Sequence, residues 1–403
     1  MIEPKIRFKG FEGEWKETIW GNHIVSTHTG TNLLGEVSNK GIPLLKMGNI
    51  QRGFFDLDKM EYLAANQNPP VNCIANYGDF FYNTRNTLEL VGKGATWMKK
   101  DGIYAFNSNI AICKLDGIDT FFFNYLYNTL RSIKQVQARA KGTTSVAAVY
   151  MRDLKSIELA LPHITEQQAI ASYFTSLDSQ ISAATSRLAS LKQMKAASLQ
   201  AMFPQEGETV PKIRFKGFEG EWNISRLGDF STSFSGGTPT AGVAEFYGGE
   251  IPFIRSGEIH ENRTELFLTE AGINNSSAKV VEKGTLLYAL YGATSGEVGI
   301  SKIKGAINQA ILAIYPNKSV NKIFLSNYLQ LKKQRIVGEF LQGGQGNLSG
   351  ALVKSILVTY PSLEEQQAIA SYFTSLDRQI SLQSQRLEKL KQIKSACLDK
   401  MFV

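Results

Sequence analysis

The chain is poor in the residues that most metal and covalent chemistry requires. Among 403 residues there are three cysteines, Cys73, Cys113 and Cys397. They lie far apart, form no Cys-x-x-Cys or Cys/His ligand spacing, and read as reduced, structural thiols. The four histidines, His23, His28, His163 and His260, make no metal-ligand spacing either, so no metal is expected. There is no Gly-x-x-x-x-Gly-Lys-Ser/Thr loop, which excludes ATP binding of the P-loop kind. No Ser/His/Asp arrangement can be nominated, and no cofactor is expected. No apolar run approaches the length of a membrane span. The opening Met1-Ile2-Glu3-Pro4-Lys5 lacks a leader pattern, so a cytoplasmic location without membrane contact is expected.

Two short motifs touch on catalysis and do not carry it. Asn68-Pro69-Pro70-Val71 resembles the Asn-Pro-Pro-aromatic signature of amino-methyltransferases, in which an aromatic stacks on a flipped base. Its fourth residue is Val71, no glycine-rich strand-to-helix loop precedes it, and it reads as a turn. Glu14-Trp15-Lys16 has the Glu-x-Lys of some nucleases, but Glu221-Trp222-Asn223, its duplicate, has no lysine. The chain is therefore expected not to be an enzyme.

What is present is repetition. Residues 5–15, Lys-Ile-Arg-Phe-Lys-Gly-Phe-Glu-Gly-Glu-Trp, return letter for letter at 212–222, and 166–178 return at 365–377. The repeat unit is thus a half-chain: one frame, identical at its edges, carrying two different inserts. The boundaries read as a first domain over 1–160, a long helix and linker over 161–207, a second domain over 208–360 and a second long helix over 361–403.

The long helices announce themselves by period. Ile170, Phe174, Leu177, Ile181, Ala184, Leu188 and Leu191 follow one another at alternating steps of four and three, as do Ile369, Phe373, Leu376, Ile380, Gln383, Leu387 and Leu390. That is a heptad seam. Thr165 with Gln168, and Ser362 with Glu365, have capping-box spacing after Pro162 and Pro361. Each helix would run roughly 55 Å at about 1.5 Å per residue, longer than a compact domain needs. An antiparallel coiled coil is expected, with Ile170, Leu177, Ile181, Leu188 and Leu191 facing Ile369, Leu376, Ile380, Leu387 and Leu390. Between the frames, short strand patterns alternate with Gly/Asn/Thr loops. Helices are predicted around 121–136 and 323–337, and glycine-rich loops at 142–145 and 343–350, so the inserts read as α+β.

Lys plus Arg number 44 against 36 Asp plus Glu, and the sequence pI is near 9.1, a balance that favours a polyanionic partner. Candidate DNA contacts in the first insert are Arg52, Asn83, Arg85, Lys93, Lys99 and Lys100. In the second they are Arg255, Arg263, Tyr291, Thr294, Lys302 and Lys304. Lys and Arg would position phosphates, while Arg, Asn or Gln would read base edges.

On these residues the whole chain resembles the DNA-specificity subunit of type I restriction-modification systems. The carrying features are the Pro4- and Pro211-led repeats, the Ile-Pro strands that follow Gly41 and Gly249 (Gly41-Ile42-Pro43 and Gly249-Glu250-Ile251-Pro252), the stretch 288–299, Asn308-Gln309 and the twin Glu-Gln-Gln-x-Ile helix starts. The resemblance implies two target-recognition domains that each read half of a bipartite, asymmetric double-stranded DNA site, and two helices that space them. It also implies two methyltransferase subunits as partners, to which restriction subunits can be added. The first insert departs from the pattern at Phe106-Asn107-Ser108-Asn109 and at residues 82–86. Two other classes stay open at this point: a methyltransferase acting alone, and a coiled-coil scaffold without DNA readout.

Overall fold

The computed structural model describes residues 3–37, 40–341 and 347–403. Part of the glycine-rich stretch expected at 343–350, namely 343–346, lies outside the described residues. The chain divides into two compact units, one of residues 1–185 with 385–403, the other of residues 186–384. Each unit is α+β, and each contains the start of one long helix and the end of the other.

In the first unit the strands Lys16–Ile19 and Glu158–Leu161 pair antiparallel, joining the two ends of the insert. Between them an antiparallel sheet runs in the order Ile24–Thr29, Ile110–Leu115, Phe80–Asn83, Gly94–Thr96. A second sheet runs Gly35–Glu36, Glu61–Leu63, Pro43–Leu45, Ala105–Phe106, its last pair parallel. Phe80–Asn83 is buried at every residue, because the sheet is covered on both faces. One face packs Trp20, Phe80, Phe123 and Tyr127, with ring centroids 4.8–6.2 Å apart. The other packs Phe81, Phe106 and Trp97.

The second unit repeats this plan. Asn223–Arg226 pairs with Leu357–Tyr360. The first sheet runs Ser231–Ser235, Ile311–Pro316, Leu286–Ala289, Val298–Ile300, and the second Leu266–Leu268, Tyr247–Ile254, Gly305–Ile307, Lys279–Val281. Tyr247–Ile254 and Gly305–Ile307 form the matching parallel pair. Each predicted insert helix is divided in two, Thr120–Tyr127 with Leu130–Ala138 and Lys322–Leu331 with Lys333–Leu341. Asp119 and Asn321 cap the leading members, each side chain accepting two backbone N–H groups.

The long helices are Ile164–Met202 and Leu363–Met401. In the first unit Lys394 reaches Asp178, Tyr173 meets Cys397 at 3.4 Å, and Phe402 lies 5.8 Å from Phe174. In the second Lys195 reaches Asp377 at 2.6 Å, Ser198 meets Tyr372 at 2.9 Å, and Phe203 lies 6.1 Å from Phe373. Within each unit the helix segments are therefore antiparallel. Of the seam, Ile170, Leu177, Leu191, Ile369, Leu376 and Leu387 are buried, and Ile181, Leu188, Ile380 and Leu390 are half-buried. The Thr165/Gln168 capping box does not form. The helix starts two residues earlier than that box requires, and His163 takes the cap, its carbonyl accepting from the N–H groups of Glu166 and Gln167 and its Nδ1 lying 3.0 Å from Thr165 Oγ1. Ser362 does cap Glu365 N–H, at 3.4 Å.

Candidate nucleic-acid interface

The identical edges of the two halves are what hold each insert in place. In the first unit Arg7 makes a two-pronged contact to Glu166, Nε to Oε1 at 2.8 Å and Nη2 to Oε2 at 2.7 Å. Arg214 does the same to Glu365, at 2.7 and 2.6 Å. Both carboxylates are almost fully buried, and their hydrogen bonds push both guanidinium pKa values up. The third guanidinium nitrogen donates to Gly13 O or Gly220 O. The chain reaches that position through Gly10 and Gly217, whose φ of 97° and 96° favours glycine. The neighbouring Gln167 accepts from Asp119 N–H and donates to Pro162 O, while Gln366 accepts from Asn321 N–H and donates to Pro361 O. One buried Glu-Gln pair thus locks the repeat segment, the preceding strand and the insert's capped helix to the long helix. Nothing local in sequence signals this, since Arg7 and Glu166 are 159 residues apart.

The nominated contacts divide sharply on this scaffold. Asn83 is fully buried and donates to Leu90 O at 3.2 Å, so it supports a loop and cannot reach a base. Arg85, Arg263 and Lys302 are exposed and make no ion pair among the described residues. Arg52 and Lys93 are half-buried. Arg52 donates to Glu89 O at 2.9 Å, and Lys93 donates to Gln51 at 2.6 Å. Burial lowers the Arg52 pKa, and burial followed by the Arg52 charge lowers that of Lys93. The Glu89 charge opposes both shifts, yet neither cation makes an ion pair among the described residues, and two such neighbouring cations suit a phosphate. Lys99 sits over Tyr104 at 5.0 Å and Lys100 over Tyr77 at 4.8 Å, which lowers their freedom without removing their charge.

The second unit is more self-neutralised. Arg255 is held by Glu258 at 2.8 Å and Glu265 at 2.7 Å, so it is not the open base reader its loop position suggested. Its i,i+3 spacing to Glu258 could have signalled this. Lys304 is exposed and pairs with Glu282 at 2.7 Å. Thr294 is half-buried and its carbonyl closes a turn with Glu297 N–H. Tyr291 is half-buried and hydrogen-bonds Gln309; burial raises its pKa and that bond opposes the rise. Gln309, exposed on the same loop face, was not among the nominated residues.

Each histidine has a structural partner: His23 with Thr18 and Asp116 O, His28 with Asn72 O, His163 at its cap and His260 with Glu297. No cluster of three or more metal-ligating side chains occurs among the described residues.

The family description "Type I restriction modification DNA specificity domain" matches residues 34–193 and 219–392, once for each half. The chain belongs to this family. It is similar to the putative type I restriction enzyme MjaX specificity subunit of Methanocaldococcus jannaschii, 23% identical over 373 residues that cover 89% of this chain and 86% of that one. The MjaIX specificity subunit of the same organism is 32% identical over 185 residues, 42% of each chain. In fold it matches the crystal structure of the S subunit from M. genitalium, with a TM-score of 0.68 at 16% identity, covering 100% of this chain and 99% of that one. As a specificity subunit it recognises DNA sequence and is the non-catalytic component. No helix among the described residues is long and apolar enough to cross a membrane.

Proposed function

We propose that each unit reads one half of a bipartite, asymmetric target in double-stranded DNA, and that the paired helices fix the spacer. The observation that carries this reading is internal: one buried frame is built twice, clamp for clamp, around two inserts whose exposed side chains differ. A dimer of identical readers would recognise a repeat; two different readers on one frame suit an asymmetric site. The identical frames offer the same surface twice and so suit two copies of one partner, the methyltransferase subunit, with restriction subunits added to that complex. The protein would work in the cytoplasm, where the DNA and these subunits are. Arg52, Arg85, Lys93, Lys99, Lys100, Arg263 and Lys302 are the contacts best placed for phosphates or bases. Lys304 and Arg255 would have to exchange a carboxylate for DNA.

Methylome sequencing of cells carrying the chain with its methyltransferase tests the reading. A methylated motif of two unlike half-sites and a fixed spacer is expected; a continuous motif would rule it out. Duplex affinity of the purified complex should also fall by about 10³-fold between 50 and 200 mM salt if about six phosphates are neutralised.

A further inference from the structure

Backbone pairing fixes which residues of the two units occupy the same place. Thr84 N–H donates to Asn109 O at 2.9 Å and Thr84 O accepts from Val149 N–H at 3.0 Å. Leu290 N–H donates to Ala310 O at 2.8 Å and Leu290 O accepts from Leu348 N–H at 2.9 Å. Arg85 and Tyr291 therefore follow one scaffold position, and Ser108 and Gln309 precede another. Gly30 and Gly236 mark a third, where a Cβ would stand 2.0 Å from Phe106 O or 1.9 Å from Ile307 O. Two residues further on are Asn32 and Thr238.

These three pairs surround the same end of the first sheet in each unit. In the first unit that place is a cleft of about 550 Å³, lined by Asn32, Arg85, Ser108 and Tyr150 among others, with no carboxylate in its lining. In the second, Thr238 donates to Gln309 Oε1 and Tyr291 also hydrogen-bonds Gln309. The frame demands the glycines and the backbone bonds, and Tyr291 is half-buried against the core, yet packing makes no demand that Ser108 become the exposed Gln309 or that the first unit carry an exposed Arg85. Hydrogen-bonding side chains that differ at one position of a constant frame are what two readers of unlike bases require. An unpaired guanidinium among neutral hydrogen-bonding groups matches guanine O6 and N7. A carboxamide steadied by two hydroxyls matches adenine N6 and N7.

We propose that this place is the base-reading site of each domain: Arg85 reads a guanine in one half-site, and Gln309, oriented by Thr238 and Tyr291, reads an adenine in the other. The assignment rests on the bipartite reading above.

The test is methylome sequencing with the full chain and its methyltransferase, wild type against Arg85→Gln and Gln309→Ala. Arg85→Gln should relax one G·C position in one half of the motif, lowering discrimination there about five- to hundred-fold, with the other half intact as an internal folding control. Gln309→Ala should relax one A·T position of the opposite half. An unchanged motif in either variant overturns the assignment, as does an even loss of methylation across all sites, the mark of a phosphate contact. Should methylation by Arg85→Gln vanish, Arg85→Lys decides: a relaxed motif supports base reading, and the parent motif at normal strength overturns it. A wild-type motif that is not bipartite would instead remove the reading on which the assignment stands.

Discussion

The two units agree where side chains are buried and disagree where they meet solvent, and their cations show this most clearly. Arg7 and Arg214 make the same two-pronged bond to Glu166 and Glu365. Lys46 and Arg255 also share a scaffold position, since the backbone N–H of each donates to the side chain three residues on, Asn49 or Glu258. There the halves part: Lys46 pairs with Glu61 alone, whereas Arg255 is closed between Glu258 and Glu265. A buried ion pair tolerates no change in one partner without a large cost. An exposed position can be rewritten at little cost to the fold. That asymmetry lets one frame carry two different surfaces.

The strongest way to break the comparison is to attack the shared clamp. Glu166→Ala and Glu365→Ala should each cost about 1.5–3 kcal/mol, because each removes the buried carboxylate that takes two charge-assisted hydrogen bonds from a half-buried guanidinium. The two losses should agree within about 1 kcal/mol, since the distances and burial agree. Denaturant unfolding, with hydrogen exchange assigning each loss to its unit, measures both. A loss below about 1 kcal/mol in either variant would show that the frames are alike in sequence and not in energetics.

The clamp also marks the limit of what the sequence made legible. The half-chain repeat, the heptad seam and the α+β inserts are periodic or local, and periodicity survives in a linear string. Glu166, Gln167 and Arg7 carry no local sign of burial or pairing, because their partners are supplied by folding. Asn83 was misread for a related reason. Phe-Phe-Tyr-Asn has no alternation, and a strand covered on both faces buries its polar residue as well. Gln309 was within reach of sequence reasoning through alignment of the halves, but the shared register of Thr84 and Leu290 is plain only from the strand pairing.

Acid sharpens the contrast at Arg255. Burial pushes the Glu258 carboxyl up, but the Arg255 guanidinium and the N–H groups of Arg255 and Glu265 outweigh it and hold the carboxyl at about 2. A carboxyl depressed on folding contributes stability that is fully present above its unfolded value near 4.5 and is lost as pH falls through the folded value. Between pH 4.5 and 2 the second unit should lose about 2 kcal/mol through this group. The first unit, with Asn49 in that place, has no counterpart. Glu258→Gln should flatten the acid limb of hydrogen-exchange protection in the second sheet of the second unit. Protection that falls equally in wild type and variant would exclude Glu258 as the source.

The smallest expected difference lies where the helices meet. Asp178 and Asp377 are identical positions of the repeat, and each accepts from a lysine of the other helix, Lys394 or Lys195. Such half-exposed pairs contribute about 0.2–1 kcal/mol and weaken with salt. Asp178 has a second donor, Tyr125 Oη at 2.9 Å, and burial followed by the Asp178 charge keeps that phenol protonated well above its usual range. Counting from the helix caps Asp119 and Asn321, the residue in Tyr125's place in the second unit is Asn327, which donates to Ile323 O instead. Asp178→Ala should therefore cost about 1.5 kcal/mol and Asp377→Ala about 0.5 kcal/mol, the excess being one hydrogen bond to a charged acceptor. In a Tyr125→Phe background the two alanine variants should become equal. Thermal unfolding in low salt and in 1 M salt separates the contributions, because screening removes the lysine share from both and leaves the tyrosine share in the first unit. A difference that persists without the Tyr125 hydroxyl would mean that the two helix contacts are unlike for some other reason, and that the pseudo-symmetry of the frame ends at its clamps.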